Sequence, residues 1–196
     1  MKNKQAELIK ELTDRELLYN LLYTQIILLT ISFFLGIILF DSYSSFFDLF
    51  HVTDPDIWII GVPAGIAVVY LDLLMMKWVP AHCFDDGGVN ERIFSSLSYP
   101  MIPIMTFLVA FSEEVLFRGV LQTHIGLFWA SLVFAAVHIR YLHNWFLFLN
   151  IVILSFFVGF LFEWTGNLAV TITAHFLIDL LLGLHIKRKS RGKNLN

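Results

Sequence analysis

Charge is the scarcest commodity in this 196-residue chain: only 15% of residues are Asp, Glu, Lys or Arg, and there is one cysteine. A water-soluble domain carries about 25% charged residues, so this chain has too little polar surface to cover a globule in water. An ordinary cytosolic enzyme is excluded. The lone Cys83 rules out a disulfide scaffold and is most simply a reduced thiol, while a net charge of −3 leaves no footprint for nucleic acid. What is abundant is apolar: 58% hydrophobic residues, 20 Phe and 5 Trp, with a mean hydropathy of +0.74. That composition also excludes a disordered chain.

The uncharged stretches are membrane-length. Leu17 to Phe40 runs 24 residues without a charge, more than the roughly 20 needed to cross about 30 Å of hydrocarbon. Further apolar segments follow at Ile57–Met76, Met101–Leu121, Leu127–Ile139, Trp145–Phe162 and Leu168–Ile186, the fourth being short. The expected fold is therefore an all-α polytopic membrane protein of about six transmembrane helices, residues 1–196 forming one integral membrane domain. The apolar run after residues 1–16 is too long for a signal-peptide core and no small-x-small cleavage site follows, so these residues are expected to form an uncleaved cytoplasmic cap.

Lys and Arg set the orientation, because short loops rich in them resist translocation. Lys2, Lys4, Lys10 and Arg15 precede the first span, and Lys187, Arg188, Lys189, Arg191 and Lys193 form a basic tail at 187–196. Both termini are expected in the cytoplasm. The loop from Asp41 to Asp56 has four Asp and no basic residue, which places it outside. Lys77, Arg92 and Arg140 fall in inside connections, so twelve of the thirteen basic residues face the cytoplasm. Arg118 is the exception. All five Trp lie near span ends, where indole rings prefer the interface. Within the longest connection, Pro80 to Pro100, a short interfacial helix is expected around Glu91–Ser98.

A charge within a span costs about 2.5–3.5 kcal/mol even on mild insertion scales, so such residues are functional candidates. Span three carries Glu113, Glu114 and Arg118 in an EExxxR pattern; span four ends Phe134 to His138, FxxxH; span six carries His175 and Asp179, HxxxD. Glu114 and Arg118 stand four apart with the acid first, the favoured order for a same-face ion pair. Glu113 points about 100° away round the helix and stays free for another partner. His175 and Asp179 share a face by the same rule. If spans three and four turn at Ile125 and Gly126, Glu113 and His138 each lie twelve residues from the turn, level near mid-membrane. All four can then line one cavity opening to the cytoplasm.

Bland readings compete at each position. Glu113 and Glu114 could be a structural pair with Arg118, but one Arg cannot neutralise both. His138 and His175 could be simple helix contacts, though their shared depth with Glu113 favours function. Asp72, near the cytoplasmic end of span two, reads as a snorkelling structural group. Phe134 reads as packing beneath the site, and His124, His143 and His185 as interfacial.

In this order and in such helices, the three patterns resemble the CPBP family of intramembrane proteases, which includes the type II CAAX prenyl endopeptidases and bacterial bacteriocin-processing (Abi-type) proteins. The resemblance spans a catalytic core at 94–184, helped by Gly166, Asn167 and Leu168 leading to Ala174 and His175. It implies that Glu113 acts with His138 to activate water, and that His175 and Asp179 bind the oxyanion or complete a metal site. A divalent metal such as Zn, held by His138 and His175 with Glu113 or Asp179, and a metal-free mechanism both stay open. The family more often has Asn at the position of Asp179; an ionised carboxylate there must be protonated, metal-bound or paired with His175. Expected partners are the lipid bilayer and a membrane-associated peptide or protein substrate, with no nucleic acid. The expected location is multi-pass in a cell membrane, a bacterial plasma membrane on the evidence of small size and plain tails. A non-hydrolytic bacteriocin-immunity or membrane scaffold protein is the rival reading, and a proton-coupled transporter, for which internal symmetry is missing, a remoter one.

Overall fold

The computed structural model describes residues 11–193, and every regular element among them is helical. Residues 1–10 of the expected cap and 194–196 of the basic tail lie outside the described residues. Helix α1 (Asp14–Leu39) starts on a capping box in which Thr13 and Glu16 satisfy each other's backbone N–H groups. The short α2 (Tyr43–Phe47) follows in the acidic loop. A wide π-turn, Ile57–Gly61, leads into α3 (Val62–Trp78), and the connection carries α4 (Val89–Ser96), the interfacial helix expected there. Helix α5 (Met101–Glu114) runs into a π-helical segment, Val115–Gln122, and then α6 (Thr123–Val137). Two long helices close the chain, α7 (Trp145–Thr165) and α8 (Leu168–Lys193).

Five helices are long and apolar enough to cross a membrane, and the third of them, Met101–Val137, is 37 residues long. It is not one rod. Gly126 has φ 79° and ψ 165° inside it, a conformation open to glycine and strained for other residues. The chain reverses there: the Phe117 and Phe134 rings lie 4.9 Å apart, whereas seventeen residues of straight helix would hold them about 25 Å apart. The segment is thus a hairpin of two antiparallel arms, with its turn where the sequence placed it. The second arm is the short one.

The two sets of helix ends segregate. Leu17 of α1, Val89 and Ile93 of α4, and Ile102 and Met105 of α5 form one buried cluster, with Leu180 and Leu184 of α8 against it. On the opposite side Val115, Phe162, Leu168 and Ile172 pack with Phe46, Leu49 and Phe50 from the acidic loop. Asn167 clamps that loop, its amide donating to the His51 carbonyl (2.9 Å) and its Oδ1 accepting from the His51 N–H (3.2 Å). His124 at the hairpin turn reaches the Leu39 carbonyl at 3.0 Å. The ends that the basic residues assign to one side are therefore the ends that touch. The described part of the basic tail continues α8, and Lys187 donates to the Ser95 carbonyl of α4 (2.6 Å).

Helix α8 sits at the centre, against α3, α4, α5 and α7. Its approach to α3 depends on two glycines: a Cβ on Gly61 would lie 2.9 Å from the Val170 carbonyl oxygen, and one on Gly65 2.7 Å from that of Ala174. Small residues four apart let membrane helices come close without a hydrophobic driving force. Since Ala174 directly precedes His175, this contact sets the position of a candidate site residue. Midway along its length α1 is tied in by Ser112, which donates to the buried Gln25 Oε1 at 2.5 Å. The five Trp side chains are exposed at 60–84%, as membrane-interface rings should be.

Candidate active site

The site forms where α5 meets α8. Glu114 is fully buried, and its Oε1 faces two bases at once: Arg118 Nη1 at 3.2 Å and His175 Nδ1 at 2.8 Å. The pairing with Arg118 follows the i,i+4 spacing. It is held by charge rather than by an aligned hydrogen bond, since Arg118 Nη1 and Glu114 Oε2 have no hydrogen-bond partner among the described residues. The Arg118 guanidinium is anchored by its other nitrogen, Nη2, which donates to the Ser155 carbonyl (3.1 Å) and hydroxyl (3.3 Å), and it lies over the Phe134 ring at 4.4 Å. That explains the one basic residue that topology left over.

The contact from Glu114 to His175 has a chemical consequence. With Nδ1–H donated to the carboxylate, the imidazole is fixed in tautomer and direction, and Nε2 is the atom left to act. Nε2 faces Glu113 Oε2 at 3.9 Å and Asp179 Oδ2 at 3.6 Å. Glu113 is 13% exposed and Asp179 30%, against 0% for Glu114. The adjacent glutamates therefore part company: one is sealed and positions a histidine, the other lines the open side. Asp179 lies beside His175 on its own helix, so pairing with the imidazole is within reach.

His138 joins the group at one remove. Its Nδ1 lies 2.7 Å from the Phe134 carbonyl, and its ring is 4.6 Å from that of Phe134, which is 6.4 Å from the His175 ring. Among the described residues no hydrogen bond or ion pair links His138 to Glu113. Phe134, 2% exposed, forms the floor beneath Arg118 and between the two histidines. His138 also ends α6, with φ −80° and ψ 52°, and stacks on Tyr141 at 5.9 Å. Among the described residues no three His, Cys, Asp or Glu side chains are grouped to hold a metal ion. His138 and His175 have their Nδ1 atoms on the Phe134 carbonyl and on Glu114, which leaves Nε2 as the free nitrogen of each ring, the arrangement in which a histidine can bind either a proton or a metal.

Three features lie outside what the motifs announced. The chain from Val115 to Gln122 is π-helical and buried at every position from Val115 to Val120; such segments collect at functional sites because their wide turn re-aims side chains. Thr123 donates to the Arg118 carbonyl at 3.3 Å, five residues back, taking up an acceptor that the wider turn leaves. The second is the glycine pair Gly61 and Gly65, a GxxxG signal readable in the sequence. The third is Arg140, which donates to Asn90 Oδ1 (3.1 Å) and the Tyr141 hydroxyl (2.6 Å). Burial opposes its charge, yet Tyr141, Asp86 and Glu113 together outweigh burial and hold its guanidinium above the ordinary arginine range. Its field also reaches Asp179. Only a basic residue two positions after the FxxxH histidine hints at this in the sequence.

Comparison with known proteins gives two findings. Residues 95–181 match the family described as type II CAAX prenyl endopeptidase Rce1-like. An uncharacterized protein, YpbD, from Bacillus subtilis (strain 168) is 46% identical over 164 residues, covering 84% of this chain and 87% of that one. No solved structure matches the chain.

Proposed function

Because the chain belongs to the Rce1-like family of type II CAAX prenyl endopeptidases, a multi-pass membrane protein of the CAAX-protease type, we propose that it is an intramembrane endopeptidase. It cuts a peptide bond in a membrane-associated peptide or protein, in the plasma membrane of a bacterium. The observation that carries this reading is the division of labour between the paired glutamates: Glu114 buried on Arg118 and His175, Glu113 facing His175 Nε2 from the open side.

Peptide hydrolysis needs a base for water, a donor for the tetrahedral oxygen and an acid for the leaving amine. Glu113 takes the proton of a water that His138 helps to orient; the hydroxide attacks the carbonyl carbon. His175, its Nδ1–H held by Glu114, presents Nε2–H to the oxyanion as an imidazolium. Asp179, beside it, keeps the ring in place. Glu113 then returns its proton to the leaving nitrogen, and the C–N bond breaks. Arg140 offsets the negative charge of Glu113 and Asp179 at the mouth.

Replacing Glu113 by Gln tests this directly. Comparing the peptides released from membranes with wild-type and variant protein, cleavage is expected to fall by about 10²–10⁴-fold, the range for a lost general base, while the protein still accumulates in the membrane. A biological phenotype that survives the substitution undiminished would instead favour an immunity or scaffold role. A chelator separates the two mechanisms that the residues leave open: an unchanged rate supports the metal-free step above, and loss restored by Zn²⁺ would assign a metal to His138 and His175.

A further inference from the structure

Away from the catalytic groups, α3 and α8 leave a groove at the ends that the basic residues mark as cytoplasmic. It encloses about 570 Å³. Tyr70, Leu73, Leu74 and Met76 supply an apolar wall, and Lys77, His185 and Lys189 stand at its rim. The two helices run parallel, since Gly61 meets Val170 and Gly65 meets Ala174. That register puts Lys77 level with Ile186, so His185 and Lys77 share a depth and Lys189 lies about one turn further out. Trp78, 84% exposed, marks the same level as interfacial.

The rim is uncompensated. Among the described residues none of Lys77, His185 and Lys189 makes a hydrogen bond or an ion pair, and the acid on α3, Asp72, is not part of the lining. The neighbouring polar cavity, of about 280 Å³, differs in that Asp14 lies with Lys187 and Arg191 in its wall. Unanswered positive charge above a hydrocarbon-lined groove, in a helix bundle surrounded by lipid, has the amphipathic pattern of one ligand. We propose that this groove binds an anionic phospholipid of the cytoplasmic leaflet, its phosphate on Lys77 and Lys189 and the start of an acyl chain along Leu73 and Leu74. Juxtamembrane lysines attract anionic lipid by this physics generally; here a groove between two spans adds a fixed seat.

The proposal is independent of proteolysis and its test uses no activity. The full-length protein in detergent is mixed with phosphatidylglycerol or phosphatidylcholine and the lipids retained are counted by native mass spectrometry. Phosphatidylglycerol is expected to be held over phosphatidylcholine by roughly 25-fold, about fivefold for each lysine. The double variant Lys77→Gln with Lys189→Gln should abolish that preference, and Leu74→Trp, which fills the groove, should lower retention with the lysines intact. Equal retention of the two lipids by the wild type overturns the proposal, as does a double variant that keeps its preference. If inorganic phosphate at matched concentration displaces the lipid, the rim alone binds and the seat for an acyl chain is refuted. An apolar, uncharged isoprenoid held as well as phosphatidylglycerol would assign the groove to a substrate tail instead and overturn it equally.

Discussion

The first two spans and the last one are built from the same apolar alphabet and placed in opposite surroundings. Helix α1 buries 11% of its most hydrophobic window and Ile57–Trp78 buries 17%, whereas α8 buries 44%. The outer helices spend their Phe, Ile and Leu on lipid: Phe33, Phe34 and Ile38 of α1 are 60%, 59% and 74% exposed. The central helix carries His175 and Asp179 into the interior. In a bilayer, apolar side chains gain little by leaving lipid for protein, so polar bonds and close backbone packing hold such helices together. The periphery is attached at a few points and the centre is locked by charge.

Breaking the centre should therefore cost most. Arg118→Leu leaves the buried Glu114 with His175 as its one base, and removing one partner of a buried pair costs about 3–5 kcal/mol. Denaturation with SDS from mild detergent should show that loss, and Glu114→Gln in the same protein should recover part of it. Glu113→Gln, by contrast, should abolish cleavage while moving the unfolding midpoint little, because Glu113 sits on the open side. A midpoint that fell as far for Glu113 as for Arg118 would erase the distinction between the two glutamates.

The next test concerns the join between periphery and centre. Gly65→Leu forces a side chain against Ala174 and Leu177, an overpacking expected to cost about 1–3 kcal/mol and to slow cleavage by displacing His175. Gly36→Ala on α1 meets no atom within 4 Å and should be neutral in both assays. At the lipid-facing end of the comparison, Gln25→Leu removes the bond from Ser112. Interhelical hydrogen bonds in membranes average about 0.6 kcal/mol, so the midpoint should shift slightly and activity persist.

What the sequence disclosed and what it withheld divide along the same line. Side-chain pairs within one helix were readable: Glu114 with Arg118 and His175 beside Asp179 follow from a four-residue step, and the reversal at Gly126 from the break between the third and fourth apolar segments. Contacts between helices were not, because helical periodicity carries no information on the register of one helix against another. Hence the bond from Glu114 to His175, which turns two separate motifs into one site, was invisible, and Glu114 looked like the partner of Arg118 alone. The π-helical stretch was hidden for a related reason: side-chain pattern does not report a change of backbone pitch. The reach of Arg140 toward Glu113 was missed because its position in a connecting segment explained it well enough as a topological marker.

The hairpin at Gly126 has a consequence for direction. Between Gly126 and His138 the second arm has only eleven residues, 127–137, about 16 Å at helical rise, while α7 beside it has 21, about 32 Å. One partition of the bundle thus stops half-way through the hydrocarbon, and the shortfall is made up by the polar turn Ile139–His143 and by Asn144, whose amide holds the carbonyls of His82, Cys83 and Asp85. If Glu113 activates water as proposed, hydrophilic fragments would leave by the side of that polar turn, and the reaction would be vectorial, delivering what it releases to the compartment facing Arg140.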